Sequence, residues 1–562
     1  MLRGIARKSR GMPVAEPRAV TKRPLLGLGL AMGLAGASLG CDGSLGDPAG
    51  PTGPHTPPSA IASVTGARRL SSAELDNTVR DLFGDTTRPA TRLLGEDEFA
   101  PYDNDYTLQR ASRTLIESIE VMANDVGDRV STDPALRARI VPCTPSGDSD
   151  AACYRMFVEQ MLARALRRPV TAEDVDPYMP LLDFATEDAT NPYVTTDFYT
   201  SVGLAIRAVL QDPEFLYRIE VGAPTAEPTV FALGGHEIAT RMAYLLWGTT
   251  PDPELLADAA SGRLETTDGR RVVAERMLDD DRARDQVHRF HAMWLGYRSI
   301  PHGPELTAAF GTETNALIDR VVFEEDRDYA DLFTLEETYV DPMLASHYGL
   351  PAVDAAGWAP YPADSGRAGI LAHGSVLAAF SKFTDTSPTQ RGILVRSRLM
   401  CDFIAPPPPT VNVDAPPGEG TDAVCKSERY ALHRDQSTSC AGCHAQMDPI
   451  GFGLERFDVA GRYREHDDGY PDCAIDGVGE LPGVGPFSGP AELGTLLVEQ
   501  GEIDDCVVRQ LWEFAQGREI TDAEATAIAG TVEGFREGGR SMRGLLVEMV
   551  ASPRFALRQE EM

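Results

Sequence analysis

The chain is poor in positive charge. Its 562 residues include 52 lysines and arginines against 85 aspartates and glutamates, a formal net charge of −33. Nucleic acids and anionic lipid headgroups would repel such a chain, because their phosphates carry the same sign of charge. We therefore expect that the protein has no nucleic-acid partner. The negative charge would then serve to keep the protein soluble.

The sequence also lacks the motifs of several common enzymes. It has no phosphate-binding loop, no HExxH zinc motif and no Ser-His-Asp spacing that would indicate a hydrolase. Hydrophobic residues make up 42% and aromatic residues 7% of the chain, which is typical of a globular protein. The length exceeds what one hydrophobic core organises, so we expect several domains.

No long apolar run that would span a membrane is found at the N-terminus. Basic residues precede the uncharged run PLLGLGLAMGLAGASLG, which ends at Cys41 and is shorter than the ~20 residues of a membrane-spanning helix. Gly40-Cys41 resembles a bacterial lipoprotein cleavage site, although Ser38 stands where that motif usually has leucine. We predict a lipoprotein-type signal over 1–41 and a lipid on Cys41, with simple secretion as the alternative.

A Pro/Gly-rich tether follows over 42–66. The expected location is outside the cytoplasm, on the periplasmic or cell-surface side, with a membrane anchor at the N-terminus.

Cysteine is scarce, with nine residues in the chain. Setting aside Cys41 and the close pair Cys440 and Cys443 leaves six, an even number that suits an oxidising compartment. Pairing neighbours along the sequence predicts three disulfides: Cys143–Cys153, Cys401–Cys425 and Cys473–Cys506. Cys143–Cys153 closes the short polar turn CTPSGDSDAAC. Six cysteines allow 15 connectivities, and the last two pairs depend on proximity alone.

Alternating strand patterns are few, and helical periodicity dominates. Ser71 and Glu74 form a capping-box pattern before a helix whose apolar residues lie on one face. The predicted fold class is mainly α: a multi-domain helical protein with a small Cys-rich module near the C-terminus. The predicted segments after the tether are helical modules at 67–130, 143–222, 230–351 and 366–404, a Pro-rich spacer at 405–420, a CxxCH module at 421–466 and a helical module at 485–560.

The segment Cys440-Ala-Gly-Cys443-His444 carries the most chemistry. C-x-x-C-H is the attachment pattern of c-type haem, in which two thiols bind the vinyl groups and the histidine binds iron. This predicts one covalent haem c in a haem-c-like module, with His444 as the proximal ligand and His433 as the distal ligand. A zinc site that recruits His433, His466 or Cys473, a thiol–disulfide redox pair and a structural disulfide remain alternatives.

Two weaker patterns were also considered. His288 and His291 lie about one helical turn apart and could share a metal ion, although such pairs are more often structural. Haem propionates could pair with Arg391, Arg398, Arg462 and Arg464, with surface salt bridges as the alternative.

Five sets of motifs follow one another along the chain: RRLSSAELDNTVRDLFG, ARALRRPVTAED with AVLQDPEFLYRIE, ATRMAYLLWGTTPDPELLADAASGRL, TSPTQRGILVRSRLMCDFIAPPPP with CAGCHAQMDPIGFGLERFDVAGRYR, and CVVRQLWEFAQGRE with VASPRFALR. Together and in this order they resemble a family of exported bacterial proteins, the planctomycete-type cytochrome-associated domains of unknown function with modules numbered 1587, 1595, 1592, 1588 and 1585. The resemblance implies export and association with c-type haem, and names no reaction.

The combined expectation is a lipid-anchored haem-c protein of the cell envelope, acting in electron transfer or as a haem-dependent oxidoreductase. Its redox partner protein or small-molecule substrate is not specified by the sequence. The alternative is a non-catalytic surface binding or scaffold lipoprotein in which the CxxCH segment is a zinc or disulfide site.

Overall fold

A computed structural model describes residues 62–95, 101–186, 196–382, 385–409, 422–434 and 440–560. All of them belong to one compact unit that extends from Pro58 to Met562. The predicted signal with Cys41, most of the predicted tether and residues 410–420 of the predicted spacer lie outside the described residues. The last five residues of the predicted tether, 62–66, belong to the folded body, since Ser63–Val64 form a strand.

The first part of the body is a helical bundle. Ser71 caps its first helix, and the reciprocal bonds between Ser71 and Glu74 confirm the predicted capping box. The helices are α1 (Ser72–Phe83), α2 (Pro89–Leu93), α3 (Arg113–Thr132), α4 (Pro134–Ile140), α5 (Ala151–Ala165), α6 (Ala172–Val175), α7 (Phe198–Leu210) and α8 (Pro213–Leu216), with a 3-10 segment at Asp176–Ala185. Their apolar faces meet in one core, to which Tyr244 also contributes.

The middle part contains nine helices among the described residues. Three of them begin with an aspartate or serine cap followed by proline: Asp252-Pro253, Asp341-Pro342 and Ser387-Pro388. They are α9 (Gly235–Leu246), α10 (Pro253–Ala260), α11 (Thr267–Leu278), α12 (Asp281–Trp294), α13 (Pro304–Asp319), α14 (Asp331–Thr334), α15 (Pro342–Tyr348), α16 (Gly374–Ala379) and α17 (Pro388–Ile393). Short 3-10 segments lie at Arg263–Glu265 and Ile370–Ala372, and π-helical segments at Arg320–Glu324 and Leu394–Leu399.

The C-terminal part begins with two helices of the predicted CxxCH module, 421–466, which is called the CxxCH region below. The helices here are α18 (Lys426–Arg434), α19 (Ala441–Phe452), α20 (Gly489–Gln500), α21 (Glu502–Gln516), α22 (Asp522–Ala527), α23 (Ala529–Glu537) and α24 (Met542–Ala551), followed by a 3-10 turn at Pro553–Ala556. The prediction of a mainly α fold class is confirmed. Among the described helices, none is long and apolar enough to cross a membrane.

Strands are short and form small sheets. They are β1 (Ser63–Val64), β2 (Arg68–Arg69), β3 (Tyr217–Arg218), β4 (Ala223–Pro224), β5 (Val230–Ala232), β6 (Glu337–Val340), β7 (Gly357–Pro360), β8 (Ser381–Lys382), β9 (Asp385–Thr386), β10 (His466–Asp467), β11 (Tyr470–Ala474), β12 (Val478–Leu481), β13 (Gly485–Ser488) and β14 (Leu557–Gln559). One sheet has the order β1-β14-β5-β4, with β1 parallel to β14 and the other pairs antiparallel. The other sheets are the two-stranded pairs β2-β3, β6-β7, β8-β9, β10-β11 and β12-β13.

The largest core crosses the predicted module boundaries. It joins residues of α9, α11, α12, α13, α21 and α24 with Ile450 and Leu454 of the CxxCH region. Strand β1 near the start of the body pairs with β14 near its end, and Tyr102 donates a hydrogen bond to Gln510 at 2.7 Å. The CxxCH region therefore shares its core with the helices around it.

The structure contains the predicted disulfide Cys143–Cys153, but the other two predicted pairs are wrong. Instead of Cys401–Cys425 and Cys473–Cys506, the bonds are Cys401–Cys506 and Cys425–Cys473. Cys506 lies on α21 and Cys473 on β11, and both bonded pairs have Cα atoms 5.3 Å apart, as a disulfide requires. For these two pairs, tertiary packing and not proximity along the sequence decides which thiols meet.

Candidate functional site

The CxxCH motif forms the first turn of α19. Cys440 immediately precedes the helix, and Cys443 and His444 lie within that turn. Both thiols are free; Cys440 is half-buried and Cys443 is exposed. The other six cysteines of the described residues are all in disulfides. The site therefore presents two unmodified thiols beside an imidazole.

A hydrogen bond to a buried carboxylate fixes the His444 imidazole. Its Nδ1 lies 3.0 Å from Oδ2 of Asp448, one helical turn further along, and the Asp448 side chain is fully buried. The Thr389 hydroxyl donates to Oδ1 of the same carboxylate at 2.7 Å. Because Nδ1 carries the proton in this bond when the ring is neutral, the lone pair of Nε2 is available to a metal.

His433 lies beside this pair. Its ring centroid is 4.4 Å from that of His444, and its Nδ1 is buried without a hydrogen-bond partner among the described residues. Burial lowers the pKa of His433, the neighbouring His444 lowers it further, and Asp448 opposes both effects. One potential ligand atom from each of these three residues lies within 4.8 Å of the others.

A buried ionic network holds α18, the helix that carries His433. Lys426, at its first position, has its Nζ atom 3.0 Å from Oε2 of Glu455 and 2.8 Å from Oδ1 of Asp385. Arg464 reaches the same Oε2 atom of Glu455 at 2.9 Å. The Cys425–Cys473 disulfide lies immediately before the helix. Buried ions with several partners fix geometry, so the position of His433 is determined by contacts outside its own helix.

Helix α17 packs closely against α19 through glycines on both. A Cβ atom at Gly392 would collide with the backbone of Met447, and one at Gly451 would collide with the backbone of Pro388. This close approach brings Thr389 within reach of Asp448. The stretch SPTQRG, residues 387–392, therefore contributes to the site in two ways. Its backbone packs against α19, and the Thr389 hydroxyl donates to Asp448.

The weaker sequence candidates make structural contacts, and Arg391 and Arg464 both bind Glu455 of the ionic network. Arg391 is 1% exposed and donates to the carbonyls of Leu454 at 2.7 Å and Phe457 at 2.8 Å. His288 binds Asp319 at 2.9 Å, whereas His291 binds the Tyr329 hydroxyl at 2.7 Å. Burial lowers the pKa of His291 to about 4. The two histidines therefore make separate structural contacts, as the alternative for that pair predicts, whereas Arg391 is a buried residue and does not form the surface salt bridge of its alternative.

The donor set fits covalent haem. Two free thiols three residues apart can form thioethers, and Nε2 of the oriented His444 can bind iron. The prediction that His433 is the distal ligand stays a prediction. Two imidazoles on opposite sides of one metal, with bonds of about 2.0 Å each, have centroids on the order of 6 Å apart, wider than the 4.4 Å found here.

Asp448 and Thr389 were missed by the sequence analysis. Asp448 follows His444 by four residues, which is the spacing that places two side chains on one face of a helix, so the sequence did contain a signal. The approach of Thr389 depends on tertiary packing between α17 and α19 and has no comparable local signal.

Comparison with known families gives five matches, each described as a protein of unknown function. They are DUF1587 over 68–132, DUF1595 over 153–220, DUF1592 over 233–350, DUF1588 over 367–467 and DUF1585 over 485–555. The candidate site lies within the DUF1588 match. No curated protein and no solved structure shows significant similarity to the chain. The five matches follow the order expected from the sequence motifs: along the chain, DUF1587, DUF1595, DUF1592, DUF1588 and DUF1585 each match one stretch.

Proposed function

We propose that this protein is a haem-c protein of the cell envelope that acts in electron transfer or haem-dependent oxidoreduction. Cys440 and Cys443 attach the haem, and His444 is the proximal ligand. The observation that carries the proposal is the pair of free thiols in the same helical turn as an imidazole whose Nδ1 atom is already bound.

The state of the thiols supports covalent attachment. Six cysteines of the described body are joined in disulfides, which is typical of proteins outside the cytoplasm. Cys440 and Cys443 are not joined to each other, and the exposure of Cys443 leaves its sulfur accessible to an incoming group. Such a pair suits thioether formation better than a structural role.

The surrounding residues have defined tasks in this proposal. When bound, haem supplies a one-electron redox couple. Asp448 accepts the Nδ1–H of His444 and so sets the ring orientation and the tautomer. Thr389 donates to Asp448 and holds the carboxylate in place. Because Asp448 is buried and negatively charged when ionised, it also strengthens His444 as an electron donor.

The location is part of the proposal. A lipid on Cys41 would hold the folded body at a membrane of the cell envelope, where haem c is attached. The partner would be a redox protein or a small-molecule substrate. The net charge of −33 supports a partner that is not nucleic acid.

The deciding experiment is expression with the haem-c maturation machinery, followed by denaturing gel staining for covalent haem and a pyridine haemochrome assay. We expect one haem per chain, and its loss in the double variant Cys440→Ser with Cys443→Ser. The variant His466→Ala, which changes an exposed histidine on β10, is the matched control and should keep its haem.

The coordination state distinguishes the two redox roles. A six-coordinate, low-spin spectrum indicates a relay of electrons, and a five-coordinate one indicates an open site that reacts with a substrate. Absence of covalent haem from the wild-type protein in a maturation-competent host would overturn the proposal and favour a non-catalytic binding or scaffold lipoprotein.

A further inference from the structure

We propose that the haem-free protein binds one divalent first-row transition-metal ion through His433, His444 and Asp448. Their ligand atoms lie within 4.8 Å of one another, and they come from two helices, α18 and α19. Two imidazoles and one carboxylate form a donor set that proteins use for zinc and for non-haem iron. This inference does not depend on the haem proposal, because it concerns the chain before or without haem.

The state of His433 favours a metal ligand. Its Nδ1 atom is buried and has no hydrogen-bond partner among the described residues. A buried polar atom without a partner is unfavourable unless a ligand or water completes it. A bound metal ion would satisfy this atom.

The Asp448 carboxylate is already held in position by hydrogen bonds. Thr389 donates to Oδ1 of Asp448 at 2.7 Å, and Asp448 is fully buried beside His444. Hydrogen bonds from the next layer of residues orient metal-binding carboxylates and raise affinity. The two helices are held by independent contacts: Lys426 to Glu455 on the side of α18, and the glycine contacts with α17 on the side of α19. The site therefore needs little rearrangement to accept an ion.

The cysteines are not part of this group. Among the described residues, neither Cys440 nor Cys443 contributes a sulfur to the cluster of ligand atoms. A site with three protein ligands leaves a coordination position for water, unlike a closed structural zinc site with four. Because His444 belongs both to this group and to the proposed haem site, the metal ion and the haem iron exclude each other.

The test uses the full mature chain, produced in a host without haem-c maturation and stripped with a chelator. Co²⁺ is the probe, followed by its visible absorption, and Zn²⁺ binding is measured by calorimetry. We expect one ion per chain. His433→Ala and Asp448→Asn should each weaken binding by about tenfold to a hundredfold, as loss of a ligand or of its support does. His433→Gln provides a second, more conservative variant, and His466→Ala should bind as the wild type does.

Two results would overturn the proposal: absence of stoichiometric Co²⁺ binding to the wild-type protein, or equal affinity in both folded His433 variants and the wild type. Binding that is lost only in Cys440→Ser with Cys443→Ser would also overturn it, since it would assign the ion to the thiols. Haem-loaded protein should not bind Co²⁺ at this site. If no haem attaches in a maturation-competent host, the proposed function fails while the metal site stands.

Discussion

Nδ1 of His444 lies 3.0 Å from Oδ2 of Asp448, and the carboxylate is fully buried. The pair belongs to one helix face of α19, four residues apart, and Thr389 of α17 completes it with a hydrogen bond. A carboxylate in this position shifts electron density toward the imidazole and stabilises a bound metal in its more oxidised state. The relation between these two residues thus predicts a redox property.

The first prediction concerns the reduction potential of the haem-loaded protein. Asp448→Asn removes the negative charge and leaves a neutral hydrogen-bond acceptor, so the potential should rise. For a one-electron couple, an increase of about 59 mV corresponds to a tenfold change in the equilibrium constant for reduction. We expect the potential to rise by at least this amount. Spectroelectrochemical titration measures it.

Thr389→Val is the companion variant. It removes the hydroxyl that donates to Asp448 while keeping the side chain's shape, and should change the potential less than Asp448→Asn does. Equal potentials for the wild type and Asp448→Asn, with haem attached in both, would show that the carboxylate does not act on the metal.

The second prediction concerns the disulfides. Peptide mapping without reduction should find Cys401 linked to Cys506 and Cys425 linked to Cys473, with separations of 105 and 48 residues. By the chain-entropy relation, removing Cys425–Cys473 should cost about 4 kcal/mol, against about 3 kcal/mol for the short Cys143–Cys153 loop. Denaturation of Cys425→Ser with Cys473→Ser and of Cys143→Ser with Cys153→Ser gives the comparison. Detection of a Cys401–Cys425 peptide would contradict the structure.

The disulfides also show what sequence reasoning reaches and what it does not. The turn between Cys143 and Cys153 is local, and its closure was predicted from the short polar loop alone. Cys401 and Cys506 meet only because the segment after α17 packs against α21, and no periodicity encodes that contact. The mainly helical class and the capping box at Ser71 are local features, and both were predicted.

The residues of the candidate site likewise fall into two groups: those that the sequence displays and those that only tertiary packing brings together. Cys440, Cys443 and His444 form a contiguous motif that the sequence displays. The placement of His433 beside His444 follows from Lys426 reaching Glu455 and from a disulfide whose partner was predicted incorrectly. Asp448 was missed because an aspartate four residues after a histidine is common in helices without any function. Its burial, which makes it significant, is a tertiary property.

The third prediction concerns the anchor. Cys41 lies outside the described residues, and its modification was predicted from the N-terminal sequence. Cys41→Ala should move the protein from the membrane fraction to the soluble fraction, with Ser38→Ala as the control that keeps the cysteine. Membrane partition that is unchanged in Cys41→Ala would contradict a lipid at this residue.

The fourth prediction concerns the buried ionic network. Glu455 is 1% exposed and lies within 3.3 Å of side-chain nitrogens of Lys426, Arg391 and Arg464. Glu455→Gln removes the buried negative charge that these three cations share. Breaking a buried ion pair in this way typically lowers the free energy of unfolding by about 3–5 kcal/mol. We expect a lower urea midpoint and faster hydrogen exchange in α18 and α19. The exposed neighbour Glu465→Gln should change stability by no more than about 0.5 kcal/mol. If the two variants are equally stable, the network does not hold the two helices.

The fifth prediction concerns Glu313, a fully buried carboxyl group on α13. The Thr338 and Tyr348 hydroxyls donate to its two oxygens, each at 2.6 Å, and the Nε2 atom of His373 lies 3.8 Å away. Burial dominates and raises the pKa of Glu313 to about 7, whereas burial lowers the pKa of His373 to about 3. The folded protein therefore favours a neutral carboxyl beside a neutral imidazole.

The sign of the pH dependence follows from the raised pKa. Between the ordinary carboxyl pKa of 4.5 and about 7, the folded protein keeps a proton that the unfolded chain releases. The free energy of unfolding therefore falls as the pH rises through this range, by at most about 3 kcal/mol from this group. The contribution of His373 has the opposite slope, being lost as the pH falls below 6.5, but it is present in both proteins when the wild type is compared with Glu313→Gln.

The measurement is the difference in the free energy of unfolding between Glu313→Gln and the wild type as a function of pH. Glutamine is neutral at every pH, so the variant should gain stability relative to the wild type from pH 4.5 to 7, and the difference should level off above pH 7. The exposed Glu465→Gln is the control for the effect of a glutamate-to-glutamine change at the protein surface. A difference for Glu313→Gln that is flat across this range would mean that the Thr338 and Tyr348 hydrogen bonds keep the carboxylate ionised in the fold. The pKa of Glu313 would then lie near its ordinary value despite its burial.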